Sequence, residues 1–392
     1  MPAWMKMTDQ LGPEKIVHVY DPVTGMKGVV VVDTMSLAGA AGGTRMLPDI
    51  TTEEIFWLAR AMSHKFAILD FPIGGAKGGI WAEPDIHGPA RRELILSFGN
   101  AVKNLLSCGV TLAADMGTDN DDVATIFEGA GVEKKFTGLS TQMVEGEPLE
   151  DHATGYGVVV AALAACQIAN LPIKGATVAI EGFGKVGGGV ARYISESGAK
   201  VVAISTAGGA IYNNKDGLDV MALLQARKTA GDKAVTEYKN AKKIRPQELY
   251  ELPVDILIPG ARPHVITKKN VGGVKAKVIS SIANIPIEDD AEEALFKRGI
   301  LSVPDFVSNA GGVILGVVDV LGGKAEDVFR VLRDYLGPLT TQILGEAKLQ
   351  NVNPRAYAVR KTTEKLLAAR RQPPATADFG QLMADLKKRL NM

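Results

Sequence analysis

A lysine enclosed by glycine pairs is the first feature of this 392-residue sequence suited to chemistry. Lys77 stands in Pro72-Ile73-Gly74-Gly75-Ala76-Lys77-Gly78-Gly79, where small neighbours let backbone and a substrate approach its amine. Lys65 lies on a helical stretch just before it, and Asp115 closes the strand-like run Val110 to Ala114. Amines and carboxylates can move protons near neutral pH once their surroundings tune them, and a second lysine can hold an anion. Each residue also has a plain structural reading: a solvated lysine, a lysine in a surface ion pair, a strand-end aspartate. Residue types alone do not choose.

The second candidate is Gly182-Phe183-Gly184-Lys185-Val186-Gly187, placed after a short buried strand, Ala176 to Glu181, and opening into a helix. In that setting the spacing reads as a dinucleotide-binding turn. The first glycine permits the tight turn, the second lets backbone approach a pyrophosphate, and the third lets helix and strand pack closely. The helix N-terminus adds partial positive charge where phosphates would lie. An acidic residue about 20 positions further on usually binds the adenosine ribose. Here the next strand ends at Ser205-Thr206, followed by Ala207-Gly208-Gly209. With no carboxylate there to repel a 2′-phosphate, NADP or dual use is favoured over strict NAD, unless a neighbouring loop supplies the acid.

These residues need elements to position them. Lys27 to Asp33 is a β-branched run of strand length. Thr51 and Glu54 form a capping box ahead of Ile55, Leu58, Ala59, Met62 and Phe66, which recur at helical spacing. The glycine-rich stretch around Lys77 is read as irregular, and an amphipathic helix follows from about Arg91 to Leu106. In the second half, Ala176–Glu181, a turn over Gly182–Gly189, a helix over Val190–Ser197 and a strand over Lys200–Ser205 succeed one another. Further short apolar runs come at Val254–Ile258, Val278–Ser281 and Leu301–Val303. That succession implies a parallel sheet with right-handed crossovers. Val328, Leu332, Tyr335, Leu339 and Ile343 trace one face of a long helix. The expected architecture is α/β with two domains: residues 1–148, completed by C-terminal helices over 326–392, and a Rossmann-type domain over 149–325.

Composition sets the class. An apolar fraction of 46% and a charged fraction of 22% suit a folded globular protein. Lysine plus arginine and aspartate plus glutamate balance at 44 each, so no nucleic-acid or membrane-surface partner is expected. Two cysteines, Cys108 and Cys166, read as buried free thiols in a reducing cytoplasm. The N-terminus lacks the pattern of a secretion signal, and no apolar stretch reaches the ~18 residues of a membrane span. The five histidines never pair with Cys, Asp or Glu at ligand spacing, so no metal is expected.

Order and wording add a resemblance. Over nearly its whole length the chain resembles the glutamate/leucine/phenylalanine/valine dehydrogenase family. Tyr20-Asp21-Pro22-Val23-Thr24-Gly25-Met26-Lys27-Gly28 and Ala41-Gly42-Gly43-Thr44-Arg45-Met46 look like the leucine dehydrogenase branch. Pro72 to Ile80 looks like the family's catalytic-lysine loop, and Ala153-Thr154-Gly155-Tyr156-Gly157-Val158 and Ser308-Asn309-Ala310-Gly311-Gly312-Val313 match two further signatures. The resemblance implies oxidative deamination of an L-amino acid to a 2-oxo acid and ammonia with NAD or NADP. It implies that Lys65 holds the substrate α-carboxylate, Lys77 activates water against the imino acid, and Asp115 carries the amine's proton. An ammonium lined by glycines beside another lysine should surrender its proton readily enough to act as a base near neutrality. Gly42 and Gly43 would line the substrate. Thr154 would contact the nicotinamide amide, with Ala283 and Asn284 nearby and Asn309 at the junction of cofactor and substrate. A cleft that closes to exclude water and a symmetric homo-oligomer built through the first domain are also implied.

Departures bear on the substrate. Glutamate dehydrogenases place a lysine immediately before Gly-Gly-x-Arg, where this chain has Ala41. They carry a serine a few residues after Asn-Ala-Gly-Gly, where it has Gly316. Both anchors for a γ-carboxylate are missing, and Ala41, Ala113, Val313 and Gly316 would line a roomy apolar pocket. An uncharged aliphatic or aromatic amino acid is therefore expected. Glu150-Asp151-His152 leaves two alternatives: a solvated linker at the domain boundary, or negative charge that selects a basic side chain. Ser281-Ile282-Ala283-Asn284 also departs from glutamate dehydrogenases, which commonly show an acidic residue before the small ones. A glutamate enzyme and a non-catalytic nucleotide-binding homologue complete the alternatives, and retention of Lys65, Lys77 and Asp115 together opposes the last.

Overall fold

The computed structural model describes residues 3–36, 38–133, 137–371 and 379–392. They divide into two compact units, one of residues 1–135 with 360–389 and one of residues 136–359 with 390–392. The division departs from the sequence-based one, because residues 136–148 and 326–359 belong with the second unit. The helical pattern over 326–359 showed an apolar face without showing what covers it. No helix among the described residues is long and apolar enough to cross a membrane.

Unit one is a five-stranded mixed sheet in the order β1-β2-β4-β3-β5. Its strands are β1 (Lys15–Tyr20), β2 (Lys27–Val32), β3 (Ala40–Met46), β4 (Gly74–Ile80) and β5 (Val110–Ala114). Helix α1 (Thr52–Ile68) packs on β4 and β2, while α2 (Gly88–Ser107) and α3 (Asn120–Ala130) cover the other face. The glycine-rich stretch expected to be irregular is thus a regular, fully buried strand. The reason is steric: a Cβ on Gly75 would lie 2.4 Å from Ala59 O, and one on Gly74 2.0 Å from Thr34 O. Glycine weakens a strand, yet here it is what lets β4 press against α1.

Thr51 caps α1 as expected, accepting from Glu54 N–H at 3.1 Å. The reciprocal half of the capping box does not form, because the Glu54 carboxylate is drawn to Arg45 at 2.6 Å. A charge-assisted bond outcompetes a bond to a neutral amide. Of the two free thiols, Cys166 is buried but Cys108 is exposed, at the C-terminal cap of α2 where the chain leaves the packed face.

Unit two is built on a seven-stranded sheet in the order β11-β10-β9-β8-β12-β13-β14. A small hairpin, β6 (Met143–Val144) and β7 (Glu147–Pro148), precedes α4 (Leu149–Ile168). Then come β8 (Thr177–Glu181), α5 (Lys185–Glu196), β9 (Lys200–Thr206), β10 (Gly209–Tyr212) and β11 (Lys242–Ile244). The sheet continues with β12 (Ile256–Ile258), β13 (Val278–Ile279) and β14 (Leu301–Ser302). β9, β8, β12, β13 and β14 run parallel as the sequence implied. β10 and β11 depart, pairing antiparallel at the edge, since the turn after Thr206 is too short for a crossover. Helix α5 starts at Lys185 rather than Val190 and includes its glycines; Gly187 has no room for a side chain, since a Cβ there would lie 2.0 Å from Gly182 O.

The long C-terminal helical run is interrupted by one π turn, Leu332–Leu336, just before Gly337-Pro338. Pro338 has no N–H to continue the regular ladder, and the wider turn accommodates this. The extra residue rotates the apolar stripe. Val328, Leu332 and Ile343 are buried as expected, but Leu336 and Thr340 take the places expected for Tyr335 and Leu339.

Candidate active site

In unit one, three adjacent strands bring Lys77 and Asp115 together. β3 lies between β4 and β5, with Ala41 opposite Gly75, Thr44 opposite Gly78 and Gly43 opposite Ala113. Side chains alternate along a strand, so Lys77 of β4, Ala41, Gly43 and Arg45 of β3, and Ala113 of β5 share one face. Helix α1 lies on that face over β2 and β4 but makes little contact with β3. Ala41, Ala113 and Asp115 are accordingly only half-buried. Gly42 points the other way and is fully buried: a Cβ there would lie 1.7 Å from Ala76 O. Its lack of a side chain is what lets β3 lie against Ala76 of β4.

Lys77 Nζ is ion-paired with Asp115 Oδ2. The same oxygen receives Arg45 Nε at 3.2 Å, while Oδ1 accepts from Met116 N–H at 2.7 Å. Burial raises the proton affinity of Asp115, but the charges of Lys77 and Arg45 and these hydrogen bonds outweigh it. The carboxyl is held well below the usual carboxylate range. Thr118 fixes the turn, its hydroxyl donating to Thr44 O at 2.7 Å and accepting from Asp115 N–H at 3.0 Å. Lys65 stands in the last turn of α1 and is buried.

In unit two the fingerprint adopts the geometry its spacing required. Gly182 has φ of +86°, which only glycine adopts readily, and Gly187 packs on Gly182 O. No atom lies within 4 Å of a Cβ position on Gly184, so the space a side chain would fill is open beside the N-terminus of α5. Phe183 is buried, Lys185 is exposed and Val186 half-buried. This arrangement fits a dinucleotide pyrophosphate. At the end of β9, Ser205 and Thr206 are buried, Ser205 O accepts from Gly182 N–H at 3.0 Å, and Thr206 Oγ1 accepts from Gly208 N–H at 3.3 Å.

The two remaining signatures meet in space. A Cβ on Gly311 would lie 2.2 Å from Ala153 O, and one on Gly312 3.3 Å from Thr154 Oγ1. Asn309 Nδ2 donates to Ile282 O at 3.1 Å, Ala283 O at 3.3 Å and Asn284 Oδ1 at 2.9 Å, so the expected cofactor residues form one cluster. Val313 and Gly316 lie three residues apart on the helix Gly311–Val320, both half-buried. Glu150, Asp151 and His152 are no linker. They form the first turn of α4, with Asp151 buried 3.9 Å from Lys185 Nζ and His152 bonded to the Tyr193 hydroxyl at 2.6 Å.

Sequence reasoning missed Arg45, Glu54 and Glu181. Arg45 stands two residues beyond Gly43 on one strand face, a spacing that announced its position. Glu181 accepts from Gly260 N–H at 3.0 Å and Ala261 N–H at 3.1 Å, tying the residue before Gly182 to the loop after β12. Nothing in the local sequence pairs residues that far apart.

Known proteins carry the same organisation. Residues 146–373 match the model of the glutamate/leucine/phenylalanine/valine dehydrogenase family, and residues 13–130 match the dimerisation domain described for it. The chain is 35% identical over 292 residues to a glutamate dehydrogenase of Aeropyrum pernix, covering 72% of this chain and 69% of that one. The chain belongs to the glutamate/leucine/phenylalanine/valine dehydrogenase family. Among solved structures, it is similar to a hetero-hexameric glutamate dehydrogenase from Thermus thermophilus in its Leu-bound form. The TM-score is 0.78 at 26% identity, over 91% of this chain and 89% of that one. The fold is also that of an L-tryptophan dehydrogenase from Nostoc punctiforme, with a TM-score of 0.67 at 24% identity over 94% of this chain and 100% of that one. This dehydrogenase is an oxidoreductase acting on the CH–NH2 group of amino acids, in a family that uses NAD or NADP. Unit two is its Rossmann-type nucleotide-binding part.

Proposed function

We propose that this dehydrogenase deaminates an uncharged L-amino acid, aliphatic or aromatic, reversibly to the 2-oxo acid and ammonia. The observation that carries this reading is the charge inventory of the Lys77 face. On β3, β4 and β5 the cations are Arg45 and Lys77, and both are already paired with Asp115. Ala41 and Gly316 stand where glutamate dehydrogenases carry polar anchors. A side-chain carboxylate buried on the Lys77 face without a partner would cost several kcal/mol, roughly. The glutamate dehydrogenase of Aeropyrum pernix favours a second reading, glutamate itself, which requires a cation from elsewhere in the chain.

Lys65 binds the substrate α-carboxylate, and the ionised Asp115 attracts its ammonium. Gly182–Gly187, Thr154, Asn284 and Asn309 would hold the dinucleotide, which when bound would supply the acceptor for the hydride on Cα. Once Lys77 has passed its own proton on through Asp115, its neutral amine orients and deprotonates the water that attacks the imino carbon. Its direct contact with Asp115 provides the route by which a proton passes between lysine, carboxylate and departing amine. The hydroxyl of Thr206 at the ribose-reading position makes NADP at least as acceptable as NAD. A homo-oligomer built through unit one accords with the matched dimerisation domain. A spectrophotometric screen of the proteinogenic amino acids, with NAD and NADP separately, tests the reading; glutamate as best substrate would replace it with the second.

A further inference from the structure

Ile285 has φ of +51°, a left-handed conformation that a β-branched residue strongly disfavours. It lies in the loop that leaves β13, directly after Asn284. The conformation is held from both sides. Ile285 N–H donates to Asp305 Oδ2 at 2.8 Å, and Ile285 O accepts from His264 N–H at 2.9 Å. Asp305 is 4% exposed, and its other oxygen is ion-paired with Arg355 Nη1. The Arg355 guanidinium in turn lies 5.7 Å from the Phe306 ring centre and 3.6 Å from Asp289. The same turn grips the rest of the loop: Ser308 Oγ donates to Ser281 O at 2.7 Å, and Asn309 Nδ2 reaches Ile282, Ala283 and Asn284. Every residue from Ser281 to Ile285 is therefore held by a side chain of the turn Asp305–Asn309.

We infer that Asp305, clamped by Arg355, is a positioning residue: it holds Ile285 in its strained conformation and so sets the loop Ser281–Asn284 against the dinucleotide. Relaxation of Ile285 to negative φ would redirect the chain at Asn284 and break its bond to Asn309. The inference rests on the proposed placement of the nicotinamide at Asn284 and Asn309, and the strain itself supplies a way to test it apart from that reading. Glycine adopts positive φ without strain. Ile285→Gly should therefore make the Asp305 bond dispensable.

Dissociation constants for NADH and NADPH are measured by fluorescence titration on the full chain. Asp305→Ala should weaken binding by about tenfold or more and raise the dinucleotide KM, leaving the amino-acid KM within about twofold. The double variant Asp305→Ala, Ile285→Gly should bind within about threefold of Ile285→Gly alone. Unchanged affinity in Asp305→Ala, or a double variant as weak as Asp305→Ala, overturns the inference and gives Asp305 a merely structural role. A native protein that binds neither dinucleotide would overturn the proposed function instead. Amide hydrogen exchange of the native protein gives a readout that needs no variant. Strong protection of Ile285 N–H is expected, and exchange at the rate of an open loop overturns the inference.

Discussion

Gly43 and Lys77 stand side by side on β3 and β4: a Cβ on Gly43 would lie 3.1 Å from Lys77 Nζ and 2.8 Å from the Cβ of Asp115. The missing side chain is what lets amine and carboxylate meet over an open patch of sheet. Gly43→Ala should cost about 1–3 kcal/mol of stability through overpacking. It should also lower turnover about 100-fold by displacing the reacting groups. Urea denaturation and steady-state kinetics measure the two effects; a variant with native turnover would show that this contact is not part of the site.

Lys77→Ala and Asp115→Asn should each lower kcat by about 100-fold or more, the scale on which acid–base groups act. Both variants should bind NADH or NADPH as the native protein does, because the fingerprint belongs to the other unit. Near-native turnover in either one means that the roles are misassigned.

Thr206→Asp should shift preference from NADP toward NAD, by repelling the 2′-phosphate and bonding the ribose hydroxyls. The ratio of kcat/KM for the two dinucleotides reads the shift. A native enzyme that strongly prefers NAD, and a variant that leaves the ratio unmoved, would place ribose recognition on another residue.

Ala41→Lys, alone or with Gly316→Ser, should raise activity on glutamate relative to the native substrate, because a buried carboxylate gains a partner. Relative kcat/KM on the two amino acids decides. Native preference for a basic amino acid would contradict both substrate readings.

Glu292 gives a prediction on stability. Burial pushes its carboxyl up to about 8; Arg355 opposes the shift, nearby Asp305 adds to it, and Ser302 weakly opposes it. The folded state then keeps a proton that the unfolded chain, titrating near the ordinary value of 4.5, has released. Folding stability should thus fall as pH rises through that window, by at most about 1.4 kcal/mol per pH unit, and level off above it. Glu292→Gln removes this pH dependence. Urea unfolding from about pH 5 to about pH 9 should show the variant gaining on the native protein as pH rises. A constant difference would mean that Glu292 ionises normally.

Much of this was legible in the linear chain. The strands Val110–Ala114 and Lys27–Val32, the helix after Thr51 and the parallel β8-α5-β9 unit all carry their own local patterns, short apolar or β-branched runs and helical spacing. The fingerprint was readable because all its parts lie within one turn. Other features depended on distant partners. Composition argued against a strand at Gly74–Ile80, and only the backbone of α1 pressing on it shows why glycine is required. Glu54 fitted a capping box until Arg45 entered the competition.

By itself the sequence determined the class of chemistry: a glycine-bounded lysine, an aspartate ending a strand and a dinucleotide turn, all set by spacing along the backbone. Tertiary structure decided how those groups act on each other. Whether Lys77 meets Asp115, whether Arg45 holds that carboxylate ionised and whether Asp305 pins Ile285 depend on strand register and helix packing. Charge interaction and steric exclusion act through space over a few ångströms. The residues that decide them are separated by tens of positions in the chain, so local pattern could not reveal them.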